Sequence, residues 1–338
     1  MSAEQSAFDL GVVPEVPAPR RGSRQVALPG TLCQNDRGET HELLDPAADA
    51  ELRTVWAWLR KRPNFVQEMG DAVEDAIYYV LDGSRTHRFD LRDERVDSDE
   101  RRAVGTKLQY HVLENLKLPK LRHPDTQIEG IGVEIKGTIA GNWAIPREGQ
   151  CGVTLLIQLD IDADRHMTRL MRTHRAWLRD GPNHDGKRGV AAAALRQFAT
   201  VLYPWTSLRP NPLKMLTDEQ RDEVFGRRGQ EVRLAHLFRA LPGVVIPRAV
   251  ILTVCANRDD PLRRARATRP RVRPELELLC GTWPAQRELA AVLGYDLTGA
   301  AWVAVPSTEI LGYGALTERT VAEIAQPPGA HEAMGPDD

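Results

Sequence analysis

The chain contains 338 residues, of which 42% are hydrophobic and 27% are charged, and its formal net charge is -2. This length suits two domains that each bury a core. The near-neutral charge does not exclude nucleic acid, because a basic surface in one part can be balanced by acidic residues elsewhere. No stretch approaches the roughly 20 apolar residues of a membrane span, and no signal-peptide pattern is present. The sequence therefore predicts a cytoplasmic protein without a membrane partner.

The cysteines lie far apart in the sequence, at Cys33, Cys151, Cys255 and Cys280, and none belongs to a C-x-x-C pair. This spacing indicates neither a zinc knuckle nor a disulfide framework. We therefore expect reduced, buried thiols, as is usual in a cytosol.

Changes in composition divide the chain into segments. Polar, Pro-rich ends predict disordered tails at 1–24 and 326–338. A further Pro-rich stretch, 204–213, is typical of a linker. It separates a first domain, 25–203, from a second domain, 214–325.

Helices are predicted in the first part of the first domain. The amphipathic patterns of 47–62 and 64–81 predict two of them. A third is expected to begin at a cap, Ser98 or Asp99, and to end near Leu116. Apolar residues recur at every fourth position of this third helix and predict one buried face: Val104, Leu108, Val112 and Leu116.

The pattern then changes to the two-residue period of strands. Residues 131–136 alternate between β-branched and other side chains, which predicts a strand with one buried face. The uniformly apolar run 153–161 predicts a second, more central strand. Helical patterns return over 163–179 and 189–203. The first domain is therefore expected to combine helices with a sheet.

Chemistry-bearing residues lie on the first of these strands and just before it. Glu134 and Lys136 share one strand face, and Asp125 follows Pro124 nine residues before Glu134. Two converging carboxylates can hold Mg²⁺, which prefers oxygen ligands and substrate phosphates. A nearby lysine can orient or help deprotonate a water and offset charge on phosphorus. The pattern suits phosphodiester cleavage, whereas the alternative is an exposed ion pair, since E-x-K is common on strands.

The Pro-Asp…Glu-x-Lys pattern is similar to that of the PD-(D/E)xK nuclease superfamily, and its surroundings resemble the NaeI family of restriction endonucleases in particular. Four blocks carry the resemblance in the order and spacing of that family. They are LDGSRTHR at 81–88, GTKLQ at 105–109, DTQIEGIGVEIK at 125–136 with GNWAIPRE at 141–148, and LFRALPGVVIPRAVILTV at 237–254.

The resemblance implies an α/β (α+β) protein with a restriction-endonuclease-like mixed sheet flanked by helices at 25–203, followed by a DNA-binding domain that contains a helix-turn-helix. It implies a type II restriction endonuclease, a hydrolase that uses Mg²⁺ to cleave phosphodiester bonds at a specific site in double-stranded DNA. It also implies that two DNA copies are bound, one as substrate and one as effector.

The same resemblance assigns roles to residues of the motif. Asp125 and Glu134 would be metal ligands, and Lys136 would be the catalytic lysine. Gln109 falls where the family pattern has a glutamate. Its side-chain oxygen can accept a hydrogen bond but brings no charge, which leaves open whether one or two cations bind.

The second domain is the more basic one. From Ser207 to Arg273 there are fifteen Lys and Arg against seven Asp and Glu. Patterns at 231–241 and 247–258 predict two helices around the turn PGVV, with the second helix as the recognition element. The basic stretch 261–274 is expected to be a wing that contacts phosphates. The residues expected to contact DNA are Arg248, Asn257, Arg258, Arg263 and Arg264, together with Asn142 after the motif strand.

We interpret other motif-like features of the sequence as structural or surface residues and not as functional sites. GPNHDGKR at 181–188 nearly matches a phosphate-cradling loop, but Arg188 replaces the required hydroxyl and no buried strand precedes it, so ATP is not an expected partner. His111 and His123 belong to no metal-binding spacing and are expected to be polar or packing residues. Trp143 is expected in the core.

Twofold symmetry of a palindromic DNA site favours a homodimer. Two alternatives to a restriction enzyme remain at this point. One is a non-catalytic DNA-binding regulator with a decayed nuclease fold, suggested by Gln109 and by the helix-turn-helix. The other is a repair-type nicking endonuclease of the same superfamily, which the basic second domain makes a weaker interpretation.

Overall fold

The computed structural model describes residues 26–227, 229–256, 261–314, 318–320 and 322. The helices are α1 Ala50–Lys61, α2 Phe65–Leu81, α3 Gly83–Thr86, α4 Ser98–Asn115, α5 Ala192–Phe198, α6 Asp218–Gly226, α7 Gln230–Ala240, α8 Arg248–Cys255, α9 Pro261–Ala267, α10 Arg269–Val272, α11 Pro284–Val292 and α12 Ser307–Ile310. The strands are β1 Leu32–Gln34, β2 Thr40–Glu42, β3 Thr126–Ile128, β4 Ile131–Thr138, β5 Ala144–Ile145, β6 Val153–Asp160, β7 Arg165–Arg172, β8 Arg188–Gly189, β9 Thr200–Ser207, β10 Leu276–Cys280 and β11 Trp302–Pro306. Both predicted tails lie outside the described residues. None of the described helices has the length and apolar character needed to cross a membrane.

The N-cap of helix α4 is Asp97, one residue before Ser98 and two before Asp99, the two predicted caps. The side chain of Asp97 accepts hydrogen bonds from the backbone N–H groups of Asp99 and Glu100, and the Glu100 carboxylate accepts one from the Asp97 N–H. This reciprocal pair is a capping box, which neutralises otherwise unpaired donors at the helix start. The predicted apolar face of α4 is confirmed, since Val104, Leu108, Val112 and Leu116 are all buried.

A five-stranded mixed sheet forms the centre of the first part of the chain. Its strand order is β3-β4-β6-β7-β9. β4 and β6 run parallel, and the other neighbours are antiparallel. Helices α1, α2 and α4 share a hydrophobic cluster with one face of this sheet. The expected mixed sheet flanked by helices is therefore confirmed.

A second cluster covers the opposite sheet face. It contains the β1–β2 hairpin, α5 and the loops around β5 and β8. Trp143 lies in this cluster, is 1% exposed and donates its indole N–H to the carbonyl of Ile157 at 3.0 Å. Its predicted place in the core is confirmed.

The helix predicted over 163–179 is wrong, because residues 165–172 form strand β7 between β6 and β9. Their sequence, RHMTRLMR, contains residues that are good helix formers, so local propensity misleads here. Burial between two strands overrides that propensity. His166 and Thr168 become buried and both bond the Tyr203 hydroxyl, at 2.9 and 2.6 Å.

The prediction over 189–203 is correct only for its first half, since α5 ends at Phe198 and β9 follows. β9 runs to Ser207, so residues 204–207 of the expected linker belong to the sheet. The hydrophobic cluster of the first part ends at Leu208, and that of the second part begins at Leu213. The division into two domains stays a prediction.

The second part contains α6 to α12 and the antiparallel pair β10–β11. The bounds of α7 and α8 are close to those of the two helices predicted around the turn PGVV. The predicted basic wing is wrong, because 261–274 contains α9 and α10. Arg269 in this segment is buried, and its guanidinium donates to the carbonyl of Leu278 and to Gln286 Oε1, each at 2.7 Å.

Candidate active site between α4 and β4

The β3–β4 hairpin brings Asp125 beside the motif strand. Thr126 pairs with Val133 in the antiparallel register, so Asp125 comes next to Glu134. The backbone N–H of Ile135 donates to Asp125 Oδ2 at 2.8 Å. The two acidic side chains therefore meet because of strand pairing, although nine positions separate them in the sequence.

Two glycines let α4 lie directly on β4. A Cβ atom at Gly105 would approach the carbonyl oxygen of Gly137 to 2.7 Å, and one at Gly137 would approach the Gly105 carbonyl to 2.6 Å. Side chains at these positions would hold the helix away from the strand. The close approach places Gln109, one turn after Gly105, against Asp125.

The four predicted catalytic residues meet in one place. Lys136 Nζ lies 2.6 Å from Glu134 Oε1 and 3.4 Å from Asp125 Oδ2. The Gln109 side-chain amide donates to Asp125 Oδ1. One ammonium thus bridges two carboxylates, and each oxygen of Asp125 has a donor. Ordered partners of this kind restrict the rotamers of a site and preorganise it.

Burial argues against an exposed ion pair on the strand. The Glu134 side chain is 5% exposed and that of Asp125 is 12% exposed. Glu134 Oε2 is buried and has no hydrogen-bond partner among the described residues. Burying a carboxylate oxygen without a partner is costly, so such an atom in a native fold calls for a ligand or a function.

The site opens into a cleft of about 550 Å³. Asn142, predicted to contact DNA, is exposed at its wall. The polar residues of this cleft that the sequence reasoning did not assign to a site include His123, Glu148 and Lys187. His123 Nδ1 lies 3.9 Å from Glu148 Oε1. Lys187 belongs to the near-match to a phosphate loop, and its charge near the motif strand became visible only through the fold.

The donor set fits a hard divalent cation such as Mg²⁺. Asp125 and Glu134 each present one carboxylate oxygen to the Lys136 ammonium, and the unpartnered Glu134 Oε2 offers a free lone pair. Mg²⁺ is held in this manner, by one or two carboxylates together with waters and substrate phosphate. Gln109 adds no charge to the set.

Three of the predicted DNA contacts of the second part are described, Arg248, Arg263 and Arg264, and none of these three lines this cleft. Arg248 is exposed at the start of α8, and Arg263 is exposed on α9. Arg264 faces a different concavity and lies 3.5 Å from Glu231 Oε1. Asn257 and Arg258 lie outside the described residues.

The family model described as "Restriction endonuclease NaeI" matches residues 55–301. This span includes Gln109, Asp125, Glu134 and Lys136. The type II restriction enzyme NaeI of Lentzea aerocolonigenes is 25% identical over 256 residues. This similarity covers 73% of the present chain and 80% of that enzyme.

Proposed function

The chain belongs to the NaeI family of restriction endonucleases, and we propose from this premise that it is a type II restriction endonuclease. Such an enzyme is a site-specific deoxyribonuclease that hydrolyses phosphodiester bonds of double-stranded DNA. The observation that carries the proposal is the convergence of Asp125, Glu134 and Lys136 in an open cleft. A cytoplasmic location stays a prediction.

Asp125 and Glu134 would hold Mg²⁺ in this enzyme. The bound cation would supply positive charge near the scissile phosphate and thereby stabilise the negative charge that develops in the reaction. The carboxylates are held ready for this role by neighbouring groups, since the Ile135 N–H and the Gln109 amide both donate to Asp125.

Lys136 would act on the attacking water and on the phosphate. Its ammonium carries three N–H donors and contacts both carboxylates at the lining of the cleft. As a water bonds to phosphorus it must lose a proton, and the leaving oxygen must gain one. A positioned cationic donor can orient that water and stabilise the pentacovalent phosphorus.

The experiment compares the wild type with Lys136→Ala and a control, Lys61→Ala, which removes an exposed lysine at the end of α1. Each protein is incubated with mixed plasmid and phage DNA and Mg²⁺, and binding is followed by gel retardation. We expect discrete fragments from the wild type and the control. Lys136→Ala should lower the cleavage rate by about 10²-fold or more and still retard DNA. Cleavage at the wild-type rate by Lys136→Ala would show that the proposed site is wrong.

The same experiment separates the two alternatives. Retardation without cutting under any divalent cation would favour a non-catalytic regulator, for which the uncharged Gln109 is the supporting observation. Accumulation of open-circular rather than linear plasmid would favour a nicking repair nuclease.

We further propose that the second part of the chain binds an effector copy of DNA through a helix-turn-helix formed by α7 and α8. Three arginines around the start of α7 support this proposal, since Arg233, Arg264 and Arg271 line one concavity of about 550 Å³ and outnumber its one acidic residue, Glu231, which lies 3.5 Å from Arg264 and from Arg271. Basic side chains of this kind bind phosphates without reading sequence. Cleavage of one-site and two-site plasmids, with and without a short duplex carrying the site, tests it. Stimulation of the one-site plasmid by the duplex is expected, and equal rates throughout would contradict it.

A homodimer is part of the proposal, because a palindromic site is matched by twofold protein symmetry. Sedimentation of the protein at cleavage concentrations measures this directly. A monomer on its own and on DNA would contradict it.

A further inference from the structure

Two cysteines and a histidine meet on the sheet face opposite α2 and α4. Cys33 lies in β1, Cys151 precedes β6 and His174 follows β7. The two Sγ atoms are 3.9 Å apart, and the potential ligand atoms of all three residues lie within 4.8 Å of one another. The residues are 3%, 4% and 1% exposed, respectively. Widely separated segments thus bring three soft or borderline ligands to one buried point.

His174 is not accounted for by ordinary packing. Neither ring nitrogen has a hydrogen-bond partner among the described residues, although both are buried. Leaving a buried polar group unpaired is costly. The Trp177 ring, whose centroid lies 4.8 Å away, covers one side of the imidazole but satisfies neither nitrogen. A ligand for this imidazole would remove the cost.

Backbone groups around the cluster also suit a bound cation. The N–H of Ala176 donates to Cys33 Sγ at 3.2 Å, as an outer group that orients a sulfur ligand. The cysteines also have a suitable separation, because two thiolates about 2.3 Å from a tetrahedral zinc lie about 3.8 Å apart. The observed 3.9 Å needs almost no rearrangement.

We propose that Cys33, Cys151 and His174 bind one Zn²⁺ ion. Two thiolates and an imidazole are the ligands that zinc prefers, whereas Mg²⁺ prefers oxygen, so this site is chemically distinct from the cleft. Water completes the four-coordinate shell. Nothing in this proposal depends on the nuclease function.

The bound zinc ties the β1–β2 hairpin to the wall behind Glu134. Gly149, two residues before Cys151, packs so closely there that a Cβ would lie 3.3 Å from Glu134 Cγ. The hairpin turn already holds the same loop, since Asp36 N–H and Asp36 Oδ2 bond the Gln150 side chain at 2.8 and 2.7 Å. Zinc adds a coordination bond at the next residue, Cys151.

Metal analysis of the full chain tests the site. The protein is purified with a thiol reductant, incubated with excess ZnCl₂, freed of unbound metal by gel filtration and measured by inductively coupled plasma mass spectrometry. We expect one zinc per chain in the wild type and in Cys255→Ala, which removes a buried thiol of the other core. Cys33→Ser and His174→Ala should retain none.

A spectroscopic measurement on the wild type keeps the test independent of variant folding. Exchange of the metal for Co²⁺ should give a thiolate-to-cobalt charge-transfer band that zinc abolishes. Absence of zinc together with absence of this band overturns the proposal. So does a Cys33–Cys151 disulfide found by mass spectrometry in protein prepared under the same reducing conditions.

Discussion

Gln109 donates its side-chain amide to Asp125 Oδ1, and an ionised carboxylate at the same position could not make this bond. The exchange of glutamate for glutamine relative to the family pattern therefore has a local structural counterpart. We therefore propose that Gln109 is a positioning residue that orients Asp125 through this hydrogen bond.

Gln109→Ala should lower the rate of DNA cleavage roughly 10- to 100-fold, because Asp125 would lose one of its orienting donors. DNA affinity should change little. Single-turnover cleavage and gel retardation measure the two effects separately. Gln127→Ala, which removes an exposed glutamine of β3, is the matched control. A cleavage rate equal to that of this control would mean that Asp125 needs no help from Gln109.

At the scale of residues, strand periodicity and motif spacing predict which side chains of the motif share a site. Glu134 and Lys136 were expected on one face of a strand, and they do share the cleft with Asp125. Lys187 could not be predicted, because the turn that carries it reaches the cleft only through the pairing of β8 with β5. The meeting of Cys33 with Cys151 across 118 positions is likewise a product of the tertiary fold.

At the scale of elements, close backbone packing of α4 on β4 brings the side chains of the cleft together. Their contact through Gly105 and Gly137 has no room for a Cβ on either side. In β7, by contrast, tertiary pairing and not the local sequence determines the secondary structure. Its residues favour a helix locally, and only pairing with β6 and β9 makes it a strand, so a local pattern could not identify it.

Gly137→Ala should destabilise the fold by about 1–3 kcal/mol, because the added methyl group would meet the Gly105 carbonyl. Cleavage should fall with it, since displacement of α4 moves Gln109 away from Asp125. Urea denaturation and cleavage assays measure both. Gly181→Ala is the control, because a Cβ there meets nothing within 4 Å. Equal stability of the two variants would show that α4 and β4 can separate at no cost.

In the molecule as a whole, specific contacts between side chains join the two parts of the chain, in addition to the segment that connects them. His87 Nδ1 lies 3.1 Å from the Thr253 carbonyl oxygen in α8. The rings of Phe89 and Phe225 stack with centroids 6.1 Å apart. The proposed recognition helix therefore packs against α3 of the first part. The effect of DNA binding beside α8 would therefore be transmitted to the first part of the chain through this contact.

The stability of the whole fold should fall as the pH drops from about 6.5 toward 4. Burial lowers the pKa of His166 from 6.5 to about 4. Above pH 6.5 the imidazole is neutral in both folded and unfolded chains, and the full stability is present. Below it the unfolded chain takes up a proton that the folded chain refuses, so stability is lost until the pH passes the folded pKa. The total loss from this residue is roughly 3 kcal/mol.

Urea denaturation at several pH values between 7 and 4.5 measures this loss. Burial also lowers the pKa of His87, which adds to the wild-type slope in the same direction. His166→Gln isolates the contribution of His166, because glutamine can still bond the Tyr203 hydroxyl but cannot be protonated in this range. Its stability should depend less on pH than that of the wild type. His184→Gln removes a fully exposed histidine and should leave the wild-type slope intact. Parallel curves for the wild type and both variants would mean that His166 accepts a proton as readily in the folded chain as in the unfolded one.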